Sequence, residues 1–103
     1  MDKEKLYKEA IAFWGKEKQL RMVQEECAEL ILAVSHYLRK VESEKNWENS
    51  GLDNLIEETA DVLNMVEQCR CIVGENQVDE IRWEKLAKVE AKLKKYKERE
   101  TEK

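Results

Sequence analysis

Apolar positions along the chain recur in steps of three and four, the period of helices with one apolar face. Three glycines, Gly15, Gly51 and Gly74, interrupt that pattern and punctuate the chain. The spacing predicts four helices. The first covers roughly 2–14, with Leu6, Ala10, Phe13 and Trp14 on one side. The second covers roughly 17–42, where Leu20, Val23, Cys27, Leu30, Val34 and Val41 mark the stripe. A polar connection from Ser43 to Asp53 follows, with Trp47 as an anchoring residue. Asp53 is the expected N-cap of a third helix over 53–73. A turn over 74–77 leads to a fourth helix over 78–98, and the mixed charge run from Lys97 is expected to fray. Short connections make successive long helices antiparallel neighbours, so the expectation is an all-α, four-helix antiparallel bundle in a single domain, 1–103.

The polar positions that break these stripes carry the chemistry. On a helical wheel at about 100° per residue, Glu26 falls inside the apolar sector of helix two, between Met22 and Ala33 on one side and Leu30 and Tyr37 on the other. Glu29 lies at the sector's edge and Glu25 further round. Helix three repeats the arrangement: Glu58 lies inside the sector, Asp61 at its edge, Glu57 beyond. An ionised group facing a core must be paired or neutralised. Two i,i+3 acid pairs on neighbouring antiparallel helices would gather four carboxylates at one point, and their repulsion calls for a cation. An all-oxygen set suits Mg²⁺ or Mn²⁺ and not zinc. The competing view is that these are solvated acids of an acidic protein. A di-iron bundle needs Glu-x-x-His. The one histidine, His36, has Ala33 three residues before it, so that site is excluded.

Composition narrows the class. The chain has 103 residues, 42% hydrophobic and 41% charged, with no proline. The apolar share supports a core, and a domain this small gains stability by oligomerising. The net charge of −4 argues against binding a nucleic acid polymer. No apolar run approaches the ~18 residues of a membrane span. The opening Met1–Lys5 is charged, and the three cysteines form no CxxC pair. The expected compartment is the cytoplasm, with reduced thiols.

Glu25-Glu26-Cys27-Ala28-Glu29, followed after 28 residues by Glu58-Thr59-Ala60-Asp61, resembles the EExxE…ExxD signature of the all-α nucleoside triphosphate pyrophosphohydrolases. This is the MazG-like group, with the dimeric dUTPases and dCTP pyrophosphatases. Trp14 and Gln19 before the first motif, Leu30–Ala33 after it and Val62-Leu63 after Asp61 extend the likeness over roughly residues 10–95. The chain departs from the family after Asp61, where Asn64 is the nearest counterpart of an Asn-and-aromatic pattern. The resemblance implies Mg²⁺-dependent cleavage of an NTP or dNTP to the monophosphate and pyrophosphate, for nucleotide pool control or house-cleaning. It implies Glu26, Glu29, Glu58 and Asp61 as metal ligands and Glu25 as an accessory acid that either holds a second metal or helps orient the attacking water. It also implies a homodimer or homotetramer. The alternative is a non-enzymatic helical interaction module or a degenerate family member.

Five further residues are candidates for substrate contact. Arg82 and Lys85 intrude on the apolar face of helix four, where they either reach substrate phosphates or snorkel over the core edge; Lys88 is similar. His36 lies on the Glu29 side of helix two and either contacts a nucleotide or bonds locally. Trp14 either stacks on a base or packs in a core or oligomer contact.

Overall fold

The computed structural model describes residues 1–44 and 51–101. It is all-helical: α1 (Lys3–Trp14), α2 (Lys16–Glu44), α3 (Leu52–Val73) and α4 (Glu75–Thr101), with no strand among the described residues. Trp47 and the middle of the expected polar connection lie outside the described residues.

Helix ends are set by local chemistry. Asp2 caps α1, its side chain accepting from the Lys5 amide at 3.2 Å. Gly15 ends α1 and starts α2 in one residue: its amide donates to the Ile11 carbonyl at 2.8 Å and its carbonyl accepts from the Gln19 amide at 3.1 Å. Its φ of 93° and ψ of 151° belong to a region that is essentially glycine-only. Asp53 is not the cap of α3. That helix begins at Leu52, and the Gly51 carbonyl accepts from the Leu55 amide, which places Asp53 in the first turn, where its charge suits the helix dipole. Of the expected turn at 74–77 only Gly74 lies outside a helix: α4 begins at Glu75, and the Gly74 carbonyl accepts from the Val78 amide. Nor does α4 stop at 98. It continues to Thr101, whose hydroxyl donates to the Lys97 and Glu98 carbonyls.

The chain divides into two compact units, Met1–Ile72 and Val73–Lys103. In the first, side-chain contacts set the helix directions. Gln19 meets Gln68, and further along α2 Glu26 meets Glu58 and Asp61, so α2 and α3 run antiparallel. Glu4 pairs with Arg70 at 3.6 Å and Tyr7 donates to Asn64 at 3.4 Å, so α1 and α3 are antiparallel too. Among the described residues, Tyr7, Ala33 and Val41 are buried, and so are the polar Gln19 and Gln68. The expected apolar side of α1 is not its buried side. Leu6, Phe13 and Trp14 are exposed, and Tyr7 turns inward instead, because its ring is apolar while its hydroxyl finds a partner in Asn64. The second unit contains α4, on which Ile81, Trp83, Leu86, Val89, Leu93 and Tyr96 are exposed. No helix among the described residues is long and apolar enough to cross a membrane.

Candidate functional site

The two helices that carry the acidic motifs bring their inward carboxylates together. One oxygen each from Glu26 on α2 and from Glu58 and Asp61 on α3 lie within 4.8 Å of one another. All three residues are half-buried. The i,i+3 spacing places Glu58 and Asp61 on adjacent turns of one face, and the antiparallel packing sets Glu26 opposite them. Glu29 is exposed and stands outside the trio, and its negative charge raises both Glu26 and Glu58. Glu25 is exposed and does not belong to the trio.

The electrostatics follow from this crowding. Glu26 and Glu58 both sit above the ordinary carboxyl value of 4.5. Withdrawal from water is the largest cause for each, followed by the charges of Glu29 and Asp61. Glu58 adds to the effect on Glu26, and Glu57 to that on Glu58. The second oxygens, Glu26 Oε2 and Glu58 Oε2, are sealed from solvent and have no hydrogen-bond partner. A buried carboxylate oxygen without a donor is costly. Either a proton or a cation can relieve it. At neutral pH an oxygen-rich trio of this spacing has the donor chemistry of a site for a hard divalent ion.

Beside α3, on the α1 side, opens a cleft of about 670 Å³. Tyr7, Trp14, Asn64 and Gln68 line it together with Met1 and Lys3. Trp14 is 51% exposed, so one part of its ring system is available to a ligand. Asn64 stands one turn beyond Asp61, and its side-chain oxygen accepts from Tyr7. His36 is exposed on α2. Arg82 and Lys85 belong to the other unit, where they flank an apolar groove on α4 with Val78, Ile81, Leu86 and Val89. Lys88 is exposed on the same helix.

The sequence pattern missed Tyr7 and Gln68, and it named Gln19 only within the resemblance and not as a buried polar partner. A signal was present for Gln19, which falls roughly 20° from Glu26 on the wheel and so inside the apolar sector. A polar residue in that place needs a buried partner. No family model matches the chain, and no curated protein or solved structure shows significant similarity to it.

Proposed function

We propose that this chain is a divalent-cation-dependent nucleoside triphosphate pyrophosphohydrolase, built as a MazG-like four-helix domain and working as a homodimer or homotetramer. The observation that carries the reading is the pair of buried, partnerless oxygens Glu26 Oε2 and Glu58 Oε2 within the acidic trio. Glu26, Glu29, Glu58 and Asp61 would hold the cation, Mg²⁺ or Mn²⁺. When bound, such an ion neutralises phosphate charge and makes water a better nucleophile near neutral pH.

The chain's own side chains would do the rest. The four carboxylates fix where a triphosphate is presented, which is most of what phosphoryl chemistry asks of a protein. Glu25, exposed beside them, accepts a hydrogen bond from the attacking water. Water then adds at the α-phosphorus and loses a proton to solvent, the bond from that phosphorus to the α,β-bridging oxygen breaks, and pyrophosphate leaves with that oxygen, which leaves the monophosphate behind. Trp14 offers a stacking face to the base in the cleft it shares with Tyr7 and Asn64. His36 is a second candidate for nucleotide contact, and Arg82 and Lys85 on the other unit are candidates for phosphate contact. Oligomerisation is supported by the large apolar side chains left exposed on each unit, such as Ile31, Ile56 and Leu63 on the first and Ile81 and Leu93 on the second.

Pyrophosphate release from a panel of canonical and modified NTPs and dNTPs, with Mg²⁺ or Mn²⁺, tests the proposal. Turnover is expected in the wild type and a loss of at least about 100-fold in Glu29→Gln and in Glu58→Gln. A folded wild type that releases pyrophosphate from none of them contradicts it. The exposed apolar faces also suit a second reading, a non-enzymatic helical interaction module, whose melting temperature Mg²⁺ would leave unchanged.

A further inference from the structure

Two buried carboxamides join the helices that carry the acids. Gln19 Nε2 on α2 donates to Gln68 Oε1 on α3 at 2.7 Å, with Gln19 5% and Gln68 9% exposed. The second Gln68 donor faces the Met65 sulfur at 3.8 Å. Gln19 stands seven residues before Glu26, and Gln68 stands seven after Asp61. Seven residues are close to two helical turns, about 10.5 Å along the axis and nearly the same face. The amide pair and the acidic trio are therefore two levels of one α2–α3 seam.

That seam needs a fixed register. The trio's oxygens lie within 4.8 Å of one another, and a slip of one turn, about 5.4 Å, would take Glu26 out of reach of Glu58 and Asp61. The acids themselves push against the native register, because like charges repel in a site withdrawn from water. Apolar contacts along the seam tolerate sliding. A buried polar pair does not, because a slip strands both amides without partners. We propose that Gln19 and Gln68 are positioning residues: their hydrogen bond pins the α2–α3 register and so assembles the carboxylates for a divalent cation. The cation part rests on the reading of the acidic trio given above, whereas the register part does not.

The test uses Gln19→Leu/Gln68→Leu, which removes both amides at nearly constant volume, so the metal-free melting temperature should not fall. Nitroxides at exposed Lys18 and Asn54, attached by chemistry that spares the native cysteines and diluted with unlabelled chain, read the register by pulsed electron resonance. The wild type should give one narrow distance distribution, and the double variant one broadened or shifted by about 5 Å, a single turn. Mn²⁺ affinity, measured by titration, should fall about 10-fold or more, as it does when groups that orient metal ligands are lost. An unchanged distance distribution overturns the pin, whatever happens to the metal. A broadened distribution with wild-type Mn²⁺ affinity overturns the positioning role. A broadened distribution together with a wild type that binds no Mn²⁺ upholds the pin and overturns the metal reading. Should the double variant not fold, Gln68→Met is read by the same two measurements and the same criteria.

Discussion

At the scale of single residues, Glu26 and Glu58 make the metal-free protein sensitive to pH. Their native values lie above the ordinary carboxyl value of 4.5, so just above that pH the folded chain binds more protons than the unfolded one. Stability from these groups is greatest in acid and falls as pH rises through the window from 4.5 to the raised native values. In excess chelator, the melting temperature of Glu58→Gln should therefore decline less over that window than that of the wild type, and should lie a few degrees higher at neutral pH. Parallel curves for the two proteins would contradict the buried-charge account. These acids were legible in the sequence because each breaks an otherwise apolar stripe at helical period. Tyr7 was not, because Leu6, Ala10, Phe13 and Trp14 offered a competing stripe on the same short helix, and only the Asn64 partner on α3 decides which side turns in. Gln19 marks itself by falling inside the apolar sector of α2, but its partner does not, because a hydrogen bond across 49 residues leaves no mark in local periodicity.

At the scale of elements, the glycines mark the breaks between helices, while the helix ends beside them depart from the pattern. Asp53 has the right chemistry for a cap, but Gly51 supplies the carbonyl that starts α3, so the helix opens one residue earlier than the side chain suggests. The charged end of α4 was expected to fray and stays helical to Thr101. Gly15 is the junction with the sharpest consequence. No side chain crowds it, so a substitution there tests backbone conformation alone. Gly15→Ala should destabilise the protein by about 1–3 kcal/mol, from forcing an alanine into glycine-only backbone angles, measured by urea denaturation. An unchanged midpoint would mean that α1 and α2 can be joined by an ordinary turn.

At the scale of the whole molecule, each unit displays large apolar side chains to solvent, and one carboxylate from α2 lies close to two from α3. Self-association predicts a melting temperature that rises with protein concentration, and an exposed-face substitution such as Leu93→Glu should shift sedimentation toward the monomer. A concentration-independent single species of about 12.2 kDa would contradict it. The proposed function assigns the partnerless oxygens of Glu26 and Glu58 to a divalent cation. Thermal unfolding across a Mn²⁺ titration tests it most directly, with wild type and Glu58→Gln side by side. The wild type should gain about 10 °C or more once Mn²⁺ exceeds its dissociation constant about 100-fold, and Glu58→Gln should lose most of that gain. Equal responses in the two proteins, or none in the wild type, would contradict the account.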